Sequence, residues 1–245
     1  MDTVGASVRG QVPALENLPP HNTEGAGEHY YTPWWLYEEQ LAGKLDFARG
    51  YHIEIGGGRD MPGVDIADDV ASVTGGGYGK RFKEDMRRYY GSFVEFAGRG
   101  EMIPNDNSYC EIDPDHKDKW GIPALRFHFK WSDHEINQAA HMHKTFREII
   151  ESMGGRVITP VFTDGKKAIY PPGAIIHEVG TTCLGSDPKN SVLNQWCQAW
   201  DVKNLFLMDG SVLPSNPDKN PTLTILALAW RSTEWLMEEM KKQTI

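Results

Sequence analysis

What these 245 residues lack narrows the field first. There are three cysteines, Cys110, Cys183 and Cys197. An odd, sparse count does not build a disulfide framework. Cys183 and Cys197 have no histidine or cysteine partner at finger spacing, which argues against zinc. Long apolar runs are also missing. The longest, Ile225 to Trp230, falls far short of the roughly 20 residues that a membrane helix needs. The first residues hold no basic cluster followed by an apolar core, so they do not read as a secretory signal. Basic residues are outnumbered, 25 against 34 acidic ones, for a net charge of −9. A nucleic-acid partner favours the opposite balance. Finally, no phosphate-binding glycine fingerprint is present. Gly56-Gly57-Gly58 follows a strand-like stretch, but the third glycine of G-x-G-x-x-G would fall on Met61, and Pro62-Gly63 blocks the helix that must follow. Gly75 to Lys80 has no Ser or Thr after the lysine and lacks the Walker spacing.

The remaining composition is that of a folded protein. Hydrophobic residues make up 40% of the chain, enough to give one large domain or two small ones a real core. Residues 1–33 read mostly as loop. The aromatic cluster Tyr30 to Trp35 suits packing or a subunit contact better than a sugar platform. Tyr51 to Ile55 alternates apolar and polar residues, as a half-buried strand does. Lys80 to Tyr90 fits a polar helix. In Leu125 to Trp131, apolar residues alternate with Arg126, His128 and Lys130. Ser132 and Glu135 are spaced as a capping box, and a helix with an apolar stripe follows until Gly154-Gly155. Arg156 to Phe162 then reads as another strand. Strands with one wet face and a helix on the other predict an antiparallel sheet in an α+β unit. His134, His141 and His143 crowd that helix, but 141 and 143 diverge by about 200° around it. His143 falls on the apolar stripe, where packing is the simpler role.

The chemistry concentrates between His177 and Arg231. Asn204 to Asp209 reads as a strand buried on both faces and ending in an acid. Asp209, before Gly210, sits where ligands bind at strand ends, or it is a turn aspartate. Asn220-Pro221-Thr222 predicts a helix start, with Asn at the N-cap and Pro at the first helical position. The next turns are apolar nearly all round, so the start should be buried and its N–H groups should need a partner. A reduced flavin's N1–O2 edge, a phosphate or a carboxylate would each serve. His177 is ordinary alone. Its company, Gly180-Thr181, Asp209-Gly210 and Asn220-Pro221-Thr222, is not.

In that order the motifs H-x-x-G-T, D-P-x-x-S-V, N-L-F-x-x-D-G-S-x-x-P and N-P-T-L-T-I-x-A-L-A-x-R resemble the C-terminal signature of the glucose–methanol–choline (GMC) oxidoreductases. Asp113-Pro114 with Asp118 to Pro123 resembles the substrate-domain segment of that family's sugar and polyol dehydrogenases. The resemblance implies that His177 is the catalytic histidine and Asn220 the second active-site position. It places Asp209, Gly210, Pro221 and Thr222 in the stretch that contacts FAD. Cys183-Leu184 departs from the more usual Arg-Met. The implied fold joins a substrate-binding domain over residues 1–165, an antiparallel sheet with flanking helices, to the returning strand and helix of a Rossmann-like FAD-binding domain over 166–245.

The implied reaction is flavin-dependent oxidation of the CH–OH group of a sugar, polyol or other alcohol. His177 takes the hydroxyl proton, Asn220 orients the same oxygen, and the hydride passes to flavin N5. The absent fingerprint raises an alternative, a truncated, inactive chain or one that needs a companion polypeptide. A carbohydrate-binding module built on Tyr30 to Trp35 leaves the 209–220 arrangement unexplained. The alcohol, the electron acceptor and the cellular compartment are not written in the motifs.

Overall fold

A computed structural model of the chain describes residues 1–18, 30–57 and 65–245. Part of the 1–33 loop, Gly58 and the Met61–Gly63 stretch lie outside the described residues. The strands are β1 (Val4–Gln11), β2 (Tyr30–Thr32), β3 (Tyr51–Gly57), β4 (Phe93–Gly100), β5 (Tyr109–Lys117), β6 (Pro123–His128) and β7 (Arg156–Val157). The helices are α1 (Tyr37–Leu41), α2 (Ile66–Thr74), α3 (Gly79–Tyr89), α4 (Asp133–Ser152), α5 (Gly165–Ala168) and α6 (Thr222–Lys241). They fall into two compact units, each discontinuous in sequence.

The unit made of Val4–Gly100 and Asp133–Tyr170 is built on a five-stranded sheet of order β2-β3-β4-β1-β7, antiparallel throughout. Alternation in β1 points Val4, Ala6 and Val8 to one face, where all three are fully buried. The α4 stripe of Ala139, Met142, Phe146 and Ile150, also fully buried, covers that face. Two glycines make the close approach possible. A Cβ on Gly98 would lie 2.6 Å from the Met142 sulfur, and one on Gly100 would lie 1.8 Å from Gln138 Oε1. Phe146 meets Phe96 and Tyr51 at ring-centroid distances of 6.2 and 6.3 Å.

The expected wet side of β3 is also covered. His52 and Glu54 are buried, and Glu54 is held by Arg99 at 3.0 Å and His52 at 3.4 Å. Alternation marks which residues share a face; it does not tell whether a charged face has been covered and neutralised by pairing. The α4 histidines have separate structural partners. His134 accepts from the Ala48 N–H at 3.0 Å, His141 meets the Tyr51 hydroxyl at 2.9 Å, and Nε2 of His143 accepts from the Phe162 N–H at 3.1 Å. Burial pushes the pKa of both His141 and His143 down. The strand expected over 156–162 is confined to Arg156–Val157.

The other unit gathers Met1–Thr3, Glu101–Ser132 and Pro171–Ile245. Its two-stranded sheet pairs β5 with β6. The strand expected over Leu125–Trp131 runs instead over Pro123–His128, and Leu125 and Phe127 are exposed at 58% and 69%. The opposite face carries charge pairs. The Asp113 carboxylate accepts from the Asp115 N–H at 2.9 Å, from His116 at 2.9 Å and from Arg126 at 2.8 and 3.1 Å. These bonds, the backbone one foremost, hold its pKa down at about 2. At the hairpin tip, Asp118 accepts from the N–H groups of Trp120 and Ile122, both at 2.9 Å, and Gly121 takes a left-handed φ of 84°.

A small core of Leu193, Cys197, Ala199 and Val212 packs with Leu184, Leu207, Met208, Leu213 and Leu228. The expected strand over Asn204–Asp209 is replaced by a single antiparallel bridge between Gln198 and Phe206. Its apolar run lies against this loop core, with Leu205 47% exposed. The expected buried start of α6 also differs. Leu223, Leu226 and Trp230 are exposed at 79%, 61% and 72%. Leu228 packs on the core while this second face of the helix stays open. No helix among the described residues is long and apolar enough to cross a membrane.

Two outcomes follow for stability. Phe146→Ala should destabilise the sheet unit by about 3–5 kcal/mol in chemical denaturation, because a large buried ring leaves a cavity. Asp113, depressed to about 2, should stabilise the fold above its unfolded pKa of about 3.9. That contribution should fade as pH falls through about 2. An NMR titration of the carboxyl carbon reads this directly, and Arg126→Ala should move the midpoint upward.

Candidate active site

His177 follows two isoleucines, and the backbone there is unusual. Ile176 has φ of +58° and Thr181 of +78°. Left-handed backbone costs of the order of 1–3 kcal/mol at a non-glycine residue, and it persists only where the surroundings enforce it. Here the enforcement comes from Met1–Thr3. Met1 and Val179 exchange backbone hydrogen bonds of 2.8 and 3.0 Å. Asp2 is only 1% exposed. Its carboxylate accepts from the N–H groups of Thr3 at 2.8 Å, Gly173 at 2.9 Å and His177 at 3.4 Å. Three N–H donors converge on this one shielded carboxylate.

Asn216 completes the frame. It is fully buried. Its Nδ2 donates to the His177 carbonyl at 2.6 Å, and its Oδ1 accepts from the Thr3 hydroxyl at 3.1 Å. Its own carbonyl accepts from the Met102 N–H at 3.2 Å. Thr3 Oγ1 in turn lies 3.5 Å from His177 Nδ1. The half-buried imidazole is thus tied at its backbone N–H, its carbonyl and one ring nitrogen.

Asp209 caps the short turn Gly210–Val212 by accepting from the Ser211 N–H at 2.7 Å. Its carboxylate is exposed. Gly210 is where this turn meets the histidine loop and α6. A Cβ there would fall 3.0 Å from the Glu178 carbonyl, 3.5 Å from Ile225 and 3.7 Å from Val179. Thr182 and Ser211 lock the same two segments, by their hydroxyls and by a backbone bond of 3.2 Å. The structure therefore brings Gly210, the loop after His177 and the first turn of α6 into contact.

At α6 the N-cap is Pro221, with no side-chain capping bond. Asn220 was expected there; it lies one position earlier and is exposed. Thr222 is the first helical residue and is exposed too. The N-cap residue of α6 therefore makes no side-chain capping bond, and the helix starts beside an open apolar face. A cavity of about 590 Å³ adjoins the histidine loop, lined among others by Tyr109, Phe127, Phe129, Cys183 and Val179. Aromatic walls with a few polar groups fit a small organic molecule.

Asp2, Thr3 and Asn216 escaped the motif reading. No local pattern joins residue 3 to residue 216. The one signal was chemical, an amide in the irregular Ser215-Asn216-Pro217 stretch between two segments rich in site residues.

The GMC oxidoreductase family model matches residues 104–229, just over half of the chain. The chain is 35% identical over 159 residues to 2-methyl-1,2-propanediol dehydrogenase of Mycolicibacterium austroafricanum, a match covering 65% of this chain and 28% of that protein. It is 30% identical over 175 residues to the fructose dehydrogenase large subunit of Gluconobacter japonicus, covering 71% and 30%. It is also 30% identical over 173 residues to the gluconate 2-dehydrogenase flavoprotein of Pantoea cypripedii, covering 67% and 27%. The matched region spans under a third of the length of these relatives. With a family model fitted from the β5–β6 hairpin through the histidine loop into α6, the chain belongs to the GMC oxidoreductases.

Proposed function

We propose that the chain carries the proton-accepting half of an FAD-dependent oxidation of a CH–OH group in a sugar, polyol or other alcohol. One observation supports this above the rest: a strained histidine loop is held by a buried polar network and packed, through Gly210, on the start of α6. Strain of this kind is kept where geometry matters to chemistry. Three relatives are named as dehydrogenases of a diol, of fructose and of gluconate, which fits a hydroxylated substrate.

His177 accepts the hydroxyl proton of the substrate. Asn220 donates a hydrogen bond to the same oxygen and fixes its orientation. Asp209, Gly210, Pro221 and Thr222 form the cofactor-facing stretch, and the first N–H groups of α6, whose N-cap residue makes no side-chain bond, favour negative charge beside them. FAD, when bound, supplies the hydride acceptor. In this reading residues 1–165 carry mainly the substrate-binding surface and 166–245 the returning part of the FAD-binding domain; the compact units divide differently, with Met1–Thr3 and Glu101–Ser132 grouped with Pro171–Ile245.

A second reading is favoured by the open face of α6. Leu223, Leu226 and Trp230 present an apolar stripe that a partner segment would cover. It holds that the chain by itself is inactive and needs further polypeptide to bind FAD. Purification of the chain separates the two: retained flavin absorbance supports self-sufficient binding, and a colourless product supports the second.

His177→Ala in the flavin-loaded enzyme should lower kcat at least 10²-fold, the usual scale for a lost general base, with flavin still bound. Near-normal turnover would remove His177 from the role. Asp209→Ala should cost about 1 kcal/mol through the lost cap, whereas Asp209→Asn keeps the capping acceptor. Weaker flavin binding in Asp209→Asn at unchanged stability would assign the carboxylate to the cofactor.

A further inference from the structure

The bonds around His177 constrain one another, and together they fix where its ring proton lies. The His177 carbonyl can only accept, so the end of Asn216 that meets it at 2.6 Å is the NH2 group. The other end, Oδ1, is then an acceptor, and its partner at 3.1 Å is the Thr3 hydroxyl. A hydroxyl has a single proton, and Thr3 spends it on Asn216. Thr3 is 1% exposed and Asn216 is fully buried, so neither group can readily exchange its partner for bulk water. What Thr3 offers His177 Nδ1, 3.5 Å away, is a lone pair. That contact is favourable when Nδ1 carries the proton. The opposite arrangement, with Thr3 donating to Nδ1, gives up the shorter bond for the longer and strands a buried amide oxygen.

We propose that Thr3, oriented by Asn216, is a positioning residue that holds His177 as its Nδ1–H tautomer, so that Nε2 is the basic nitrogen. The inference rests on the proton-acceptor role proposed above for His177 and specifies which atom takes the proton. Asp2 supports the arrangement from the backbone side, since its carboxylate accepts from the His177 N–H and fixes the residue from which the ring projects. The proton bookkeeping is closed. The substrate hydroxyl proton goes to Nε2, Nδ1 keeps its own, and Thr3 Oγ1 faces the imidazolium N–H that results.

The test uses the flavin-loaded enzyme with 15N-labelled histidine, the His177 signals being assigned by His177→Gln. The expected spectrum of the neutral ring shows a protonated Nδ1 and an unprotonated Nε2. Thr3→Val should shift the ring toward the Nε2–H form and lower kcat about 10²-fold, with KM little changed. Thr3→Ser, which keeps the hydroxyl, should restore both spectrum and rate, which mere filling of space would not do. A neutral ring protonated at Nε2 in the unmodified enzyme overturns the proposal, whether or not Thr3→Val folds. So does a Thr3→Val enzyme with unchanged tautomer and rate. Normal turnover in His177→Ala, with Nδ1 still protonated in the parent, would sink the base role and leave the tautomer assignment standing.

Discussion

Asn216 is completely shielded from solvent, so both ends of its carboxamide must find partners inside the fold. It finds them on segments far apart in sequence, the His177 carbonyl on one side and the Thr3 hydroxyl on the other. An amide is well suited to this place because it donates and accepts at fixed separation, which neither a carboxylate nor a lysine can do. Removing either partner would leave a buried polar atom unsatisfied. The histidine loop is therefore positioned by a constraint that tolerates little drift. The left-handed Ile176 beside His177 shows that this framework is strong enough to impose an unfavourable backbone.

The two compact units reach order by different means. The sheet unit is held by regular strand pairing and a helix laid on small residues, with Gly98 and Gly100 setting the approach of α4. The unit with His177 has a two-stranded sheet, one long helix and extensive loops. Loops must satisfy their backbone groups individually, and here side chains such as Asp2, Asp118, Asp209 and Asn216 do that work. The arrangement suits a site, because loop residues can be aimed one by one while α6 fixes the frame. It also leaves one face of α6 bare, so exposed apolar surface and the helix start beside Gly210 sit on the same element.

Periodicity made the sheet unit legible. The apolar stripe of α4, the alternation in β3 and the polar helix at α3 all appear where their patterns place them. What periodicity could not show was the burial of His52 and Glu54, because a charge pair closed over a face that reads as wet. In the other unit, motif order pointed to His177, Gly210 and the start of α6, and the structure brings the three segments together. The apolar run at 204–209 misled, since four consecutive hydrophobic residues look alike whether they enter a parallel sheet or a loop core. Pro221 at the cap, one position later than expected, is within the ordinary uncertainty of helix ends. Asp2, Thr3 and Asn216 were invisible for a deeper reason: their role exists only across contacts of very long sequence separation.

That separation has a physical consequence. Thr3 meets Asn216 across 213 positions and His177 across 174. Contacts of such range form late, after the intervening chain has given up its entropy. The geometry at His177 is therefore a property of the completed fold and not of its own loop. A peptide carrying the 177–231 motifs would keep Asn216 on the His177 carbonyl but lose the groups at its backbone N–H and ring, which come from Asp2 and Thr3. Motif order can thus point to a residue, while the placement of that residue is set by groups that no motif contains.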